Sequence, residues 1–216
     1  LLFLGAGAVI HYVHSNEMKD MGGLRKKLPI THITFLIACF AIAGIPPFAG
    51  FFSKEEILLA AWREDTFLFC VAIFIALLTA FYMFRLYFMI FWNQKIKSAL
   101  SENHVHHGSE NKKPEAPFTM LLPLIILGVL SVVAGFVPFG KFVSSDGLGL
   151  DSEFHILFSL TPVLIATGGI ILAAVLYKKE NEIPQKISIK LNGLYVSAHK
   201  KFYIDELYLF ITKRII

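Results

Sequence analysis

The chain has 216 residues, 56% hydrophobic and 17% charged, with 21 phenylalanines, a formal net charge of +4 and a mean hydropathy of +0.64. This excludes an ordinary soluble domain, because apolar runs of about 20 residues between short charged connections are the pattern of transmembrane helices. The basic balance could suggest nucleic acid, but the cations fall in the connections, and Cys39 and Cys70 lie in apolar stretches without metal-ligand spacing, which makes them packing residues that carry no redox information.

Residues 1 to about 13 read as the end of a helix whose start is missing. Leu1 already lies inside an apolar run with no initiator Met before it, no cleavable signal peptide is recognisable, and the chain reads as a fragment of a longer protein. Gly5 and Gly7 would permit close helix contact. After a polar connection at 14–29, the sequence predicts a helix from about 30 to 62 that is broken in its middle. Pro46 and Pro47 remove two backbone donors and clash with the preceding turn, while Gly44 and Gly50 let the chain leave helical geometry. Ser53, with Glu56 three residues later, spells a capping box, so the second half-helix is expected to start there with Lys54 in its first turn.

The tight turn Arg63, Glu64, Asp65 then leads to a predicted helix at 66–92, a polar loop at 93–115, a helix at about 117–137, a second loop at about 138–155 and a last span at about 156–177. From 178 the chain is charged. Beyond Pro184, Ile187, Leu191, Leu194, Ala198 and Phe202 recur at spacings of three or four, which predicts an amphipathic helix too polar to span. Such a helix could anchor at the membrane surface or lie along partner subunits. The expected fold is an all-α polytopic transmembrane bundle at 1–177, with a partial first helix, four further spans and a broken helix among them. The C-terminal amphipathic segment occupies 178–216.

The connections at 14–31 and 93–116 hold four Lys or Arg each and the tail from 178 holds eight, against only Arg63 and Lys141 on the other side. The positive-inside rule then places the basic side in the cytoplasm. Lys54 and Arg85 are the cations left within spans. At roughly 1.5 Å per residue, Lys54 falls some 13 Å from the outer helix end and Arg85 about 10 Å from the inner one. A cation at the positive end of a helix dipole, away from water, is destabilised on both counts and could load and release protons. Ionisable groups at membrane depth mark ion pathways; the alternative, which suffices for Arg85, is a side chain that snorkels to the interface.

Glu55 could pair with a basic group on a neighbouring helix or on another subunit and bias Lys54 between its forms. His11 and His32, near the basic ends of two helices, could pass protons to bulk water or be ordinary interfacial residues. His104, His106 and His107 form a cluster that lacks a second well-spaced ligand pair and reads as solvated loop. No phosphate loop, nucleophile elbow, haem motif or cluster-binding cysteine set is present, so no cofactor or metal is assigned to the chain.

The stretches Gly5-Ala-Gly-Ala-Val-Ile-His11, Met21-Gly-Gly-Leu-Arg-Lys26, Ala43-Gly-Ile-Pro-Pro-Phe48, Gly50-Phe-Phe-Ser-Lys-Glu-Glu-Ile57 and Lys201-Phe-Tyr-Ile-Asp-Glu-Leu-Tyr208 together resemble the subunit L family of the proton-pumping NADH:quinone oxidoreductase, respiratory complex I. The likeness runs in order along essentially the whole chain and is weakest in the loops. The proline-proline and Phe-Ser-Lys motifs also occur in the large subunit of multisubunit sodium/proton antiporters, whereas the Phe-Tyr-Ile-Asp-Glu-Leu-Tyr stretch favours complex I. The resemblance implies an antiporter-like pump subunit in a bacterial inner or plasma membrane, with Lys54 on the proton route toward the outer side. It also implies FMN, iron–sulfur clusters and quinone in other subunits, and a C-terminal lateral helix lying along neighbouring antiporter-like subunits. The runner-up is a sodium/proton antiporter subunit; a purely structural scaffold would leave Lys54 unexplained.

Overall fold

Long apolar segments satisfy their backbone donors and acceptors internally by forming helices, and in lipid no other open structure does so. The computed structural model describes residues 1–93, 115–137, 156–179 and 182–215, and these contain helices, turns and no strand. The chain divides into two compact units, Leu1–Glu180 and Asn181–Ile216.

The first unit is an all-α bundle. Its helices are α1 (Leu2–Val13), α2 (Pro29–Ala43), α3 (Ala49–Glu64), α4 (Thr66–Phe91), α5 (Phe118–Val133, continued by a 3₁₀ turn at Ala134–Phe136) and α6 (Ile156–Tyr177). Thr66–Phe91, Phe118–Phe136 and Phe158–Tyr177 are long and apolar enough to cross a membrane, while α1 and α2 are shorter apolar helices. Large side chains such as Phe74, Ile126, Val129, Leu164 and Ile171 are exposed on these helices, as lipid-facing residues are.

Two helix starts are fixed by carboxylates. Asp65 caps α4, its side chain accepting from the Phe67 amide at 2.9 Å. Helix α2 opens with Pro29, whose missing N–H costs nothing there, and its next two amides donate to Glu115, Ile30 at 3.2 Å and Thr31 at 2.6 Å. Glu115 comes from just before α5, so this cap also ties two distant parts of the chain together.

The core is aromatic and centred where α2 meets α4. Phe35, Phe84 and Phe91 are almost fully buried, with Phe35 edge-on to Phe91 at 5.5 Å and Phe40 tilted against Phe84 at 5.2 Å. Helices α4 and α6 pack side by side in the same direction: Phe69 meets Phe158 near their starts, and Phe81, in the second half of α4, meets Tyr177 at the end of α6. Their seam is made of small residues. Ala166, Gly169 and Ala173 lie on α6 at helical spacing, Gly169 sits against Leu77 and Ala80 of α4, and all three alanines are buried. Without an apolar driving force between helices in lipid, close backbone approach of this kind supplies the packing. Of the two glycines near the chain start, Gly5 lies against the Phe35 ring, whereas Gly7 has only the tip of Met120 at 4.0 Å.

The second unit differs from the single amphipathic helix expected. It consists of three short helices, α7 (Ile183–Lys190), α8 (Asn192–His199) and α9 (Ile204–Ile215). The first interruption is at Leu191, just before Asn192 and Gly193, both weak helix formers. The second is a left-handed turn in which Lys201, Phe202 and Tyr203 have φ of 53°, 54° and 59°, a conformation costly for residues with a Cβ. Periodicity does not register such interruptions, because a turn can preserve the spacing of apolar residues. None of this unit's described side chains is buried. Its ion pairs, Lys186–Glu182 at 3.1 Å and Lys201–Asp205 at 2.7 Å, lie on exposed i, i+4 positions and contribute little.

The small-residue seam yields a prediction with an internal control. A Cβ at Gly169 would stand 2.9 Å from the Leu77 carbonyl oxygen, whereas one at Gly168 would meet nothing within 4 Å. Gly169→Leu in the full-length protein should lower stability by about 1–3 kcal/mol through overpacking, and Gly168→Ala should be neutral or slightly stabilising. Denaturation in detergent micelles measures both; equal effects at the two positions would contradict the seam.

Candidate functional site

Helix α2 ends because Gly44 turns left-handed, at φ 78°. The Gly44 amide donates to the carbonyls of Phe40 and Ala41, and the Ile45 amide donates to Phe40 at 3.1 Å. This is a Schellman closure, which satisfies carbonyls that the helix end would otherwise leave unpaired. Pro46 and Pro47 follow, joined by a cis peptide bond, and Phe48 is extended and caps α3. The Phe48 ring stacks on Phe40 at 5.6 Å, holding the start of the second half-helix beside the end of the first. A Cβ on Gly50 would lie 1.8 Å from the Ala41 carbonyl oxygen, so only glycine fits where α3 leaves α2.

The capping box read from Ser53 and Glu56 is not formed. Helix α3 begins at Ala49, four residues earlier, because extended Phe48 already provides the N-cap geometry immediately after the prolines. Ser53 is inside the helix and its hydroxyl donates back to the Gly50 carbonyl at 3.3 Å, and Glu56 is exposed. Lys54 is therefore the sixth residue of α3, beyond its first turn.

The lysine's surroundings also differ from the expectation. Its stem folds back over the break: a Cβ on Gly44 would come within 2.7 Å of Lys54 Cδ. The ammonium, two bonds further on, thus lies by the C-terminal end of α2, the negative end of that dipole, rather than at the positive end of α3. Lys54 Nζ is buried and has no hydrogen-bond partner among the described residues. Ten residues of α3 separate it from Glu64, about 15 Å at the helical rise.

Glu55, the next residue, points elsewhere. Its carboxylate is buried and accepts a hydrogen bond from the Ser159 hydroxyl on α6. Lys54 and Glu55 are therefore not each other's partners, and among the described residues the partner of Glu55 is a neutral hydroxyl rather than a basic group on a neighbouring helix. The 3₁₀ turn after α5 closes over the same region, Gly135 lying against the Phe52 ring and Phe136 edge-on to it at 5.7 Å.

His32 belongs to a second polar group. It is twelve residues before Gly44 on α2, about 18 Å along the axis, and its Nε2 lies 2.6 Å from the Tyr87 hydroxyl of α4. Trp92 Nε1 donates to that same hydroxyl at 3.2 Å. An indole N–H can only donate, so Tyr87 accepts from Trp92, and which of Tyr87 and His32 donates in the other bond is set by the imidazole tautomer. His11 is exposed at the end of α1, its ring 6.2 Å from that of His14. Arg85 is exposed, with its guanidinium 5.2 Å from the Tyr177 ring centre. The cluster of His104, His106 and His107 lies outside the described residues; among those described no group of His, Cys, Asp and Glu is arranged to hold a metal.

Chemically, the break holds a buried amine with no hydrogen-bond partner among the described residues and a buried carboxylate with a hydroxyl donor, while the other end of α2 holds an imidazole–phenol pair. Each can bind or release a proton without altering the backbone. Sequence reasoning did not find Ser159, Tyr87 or Glu115. A hydroxyl among the apolar residues of α6 was the available signal for Ser159, because a hydroxyl there seeks an acceptor, although Thr161 and Thr167 on the same helix give that signal too.

Residues 1–80 match the family described as NADH:quinone oxidoreductase/Mrp antiporter, TM. Across 96% of its length the chain is 39% identical to the NAD(P)H-quinone oxidoreductase chain 5 of a Picosynechococcus strain, and 35% identical to the NADH-quinone oxidoreductase subunit L of Neisseria meningitidis. It is likewise 36% identical, over 96% of the chain, to the chloroplastic NAD(P)H-quinone oxidoreductase subunit 5 of Chlorokybus atmophyticus. The matches cover 36%, 36% and 34% of those proteins, so the chain spans about a third of the relatives it resembles.

The Ser159–Glu55 contact predicts a graded mutational series. Ser159→Ala, which leaves a buried carboxylate without its donor, should cost about 1–3 kcal/mol, and Ser159→Thr, which keeps the hydroxyl, should cost clearly less. Urea or thermal unfolding of the full-length protein reads both. Equal losses would show that the hydroxyl does not serve Glu55.

Proposed function

We propose that this chain, a homologue of subunit L and chain 5 of NADH-quinone oxidoreductases, is part of the membrane arm of such a complex and moves protons in it. Lys54 exchanges protons between a hydrated internal axis and an outward half-channel. Glu55, held by Ser159, biases the charge of Lys54 through its own field. The observation that carries this reading is the buried Nζ of Lys54, folded over a helix break and without a hydrogen-bond partner among the described residues. A side chain that must alternate between charged and neutral forms is better served by freedom from a permanent ion pair than by one, and irregular backbone at membrane depth belongs to protein-covered or water-lined places.

In this proposal the electron carriers, FMN, iron–sulfur clusters and quinone, reside in other subunits. The chain's partners are neighbouring antiporter-like subunits, reached by the segment from 178, and the surrounding lipid. The basic connections, with the His32–Tyr87 end of the bundle, face the cytoplasm of a bacterium, and His32 and His11 are positioned for exchange with water on that side. Arg85 is an interfacial residue in this scheme.

Replacing Lys54 in the complete, assembled complex tests the reading. Lys54→Ala should lower proton pumping and the coupled quinone reductase activity by roughly tenfold or more, since a positioned proton carrier contributes about 10²–10⁴-fold. Lys54→Arg, which keeps the charge but does not release a proton, should assemble normally and fail equally. An unchanged rate and proton-to-electron ratio in either variant would overturn the assignment. Sodium-dependent proton exchange that is lost in membranes without quinone reductase activity would instead favour an antiporter.

A further inference from the structure

The ends of α4 and α6 carry a group of cations that the proton route does not use. Two of them share one indole: the Arg25 guanidinium lies 4.3 Å and the Lys178 ammonium 4.6 Å from the Trp92 ring centre. A third, Arg85, lies over Tyr177, the residue immediately before Lys178. Among the described residues no carboxylate pairs with any of the three. Like charges gathered on two neighbouring rings repel one another, and cation–π contacts hold them in place without neutralising them.

What lies beside the cations is apolar and open. On α4, Leu78 and Tyr82 precede Arg85 by seven and three residues, one helical face, and are 44% and 49% exposed. On α6, Ile171 and Val175 precede Lys178 by the same spacings and are 58% and 61% exposed. Arg85 and Lys178 thus each cap an exposed apolar strip on a membrane-spanning helix, and Trp92 and Tyr177 stand where interfacial aromatic residues stand. A ligand matching this arrangement is anionic at one end and carries hydrocarbon below it.

We propose that the turn carrying Arg25 and the ends of α4 and α6 bind the phosphate headgroup of an anionic phospholipid, whose acyl chains lie along the strips below Arg85 and Lys178. The charge complementarity selects an anionic over a zwitterionic lipid, because a choline headgroup would bring a fourth cation to the site.

The full-length chain with Trp92 as its only tryptophan, reconstituted in phosphatidylcholine vesicles, tests this directly. Dibrominated phosphatidylglycerol and dibrominated phosphatidylcholine, added at equal mole fraction, report which lipid sits at the indole by quenching it. The anionic lipid should be preferred by about fivefold or more, the scale expected for one interfacial cation. Arg25→Gln with Lys178→Gln should abolish the preference, while the charge-conserving pair Arg25→Lys with Lys178→Arg should keep it. Inorganic phosphate in the buffer should not reduce it if the acyl chains contribute. Equal quenching by the two lipids, a preference that survives loss of both charges, or one removed by free phosphate would overturn the proposal.

Discussion

The rest of this structure depends on how the chain stops and restarts a helix among apolar neighbours without leaving polar backbone unpaired. A proline pair alone would strip donors and strand carbonyls, each at a cost of several kcal/mol in an apolar medium. The left-handed turn at Gly44 returns two amides to the end of α2, and Gly50 lets α3 start against the Ala41 carbonyl. The same requirement for closeness shapes the site. Because Gly44 has no side chain, the Lys54 stem can lie over the break, and the amine reaches a place that neither half-helix would offer by itself.

Helix α4 then acts as the common wall. It packs against α2 and α3 on one side and α6 on another, and its small Ala80 admits Gly169 while its Phe84, Tyr87 and Phe91 fill the space toward α2. The fit is asymmetric along the helix: near its start, Phe69 bridges Trp62 of α3 and Phe158 of α6; near its end, polar tips replace plain hydrocarbon. A helix that is hydrophobic all round has no single core stripe, and here the variation along its length decides what packs where.

That asymmetry explains what was legible in the sequence. Element existence was readable wherever apolar length or proline forced it: the spans at 66–91 and 156–177 and the break after Ala43 follow from hydrophobic runs, Gly44, Pro46 and Pro47. The restart was misread because Ser53 and Glu56 have the spacing of a capping box, while the extended Phe48 beside the prolines had already begun the helix. The tail was misread as one helix because apolar spacing passes unchanged through the turns at Leu191 and Lys201–Tyr203. Lys54 and Glu55 could be singled out as ionisable groups in an apolar segment. Their partners, or lack of them, could not, since Ser159 stands 104 residues from Glu55 in the chain and one turn of helix more or less decides whether they meet.

The two polar groups are joined by geometry rather than by contact. His32 with Tyr87 links α2 to α4 near one end of the bundle, and Glu55 with Ser159 links α3 to α6 on the far side of the break. About 18 Å of α2 separates His32 from Gly44, so no proton passes directly between them; both links, however, run from the broken helix to the α4–α6 pair. That pair is packed closely through its small-residue seam, while the broken helix has a glycine turn at its centre. Any shift of α2 and α3 against the pair therefore strains both hydrogen bonds together. The Lys54 stem lies beside the glycine turn, between the two links.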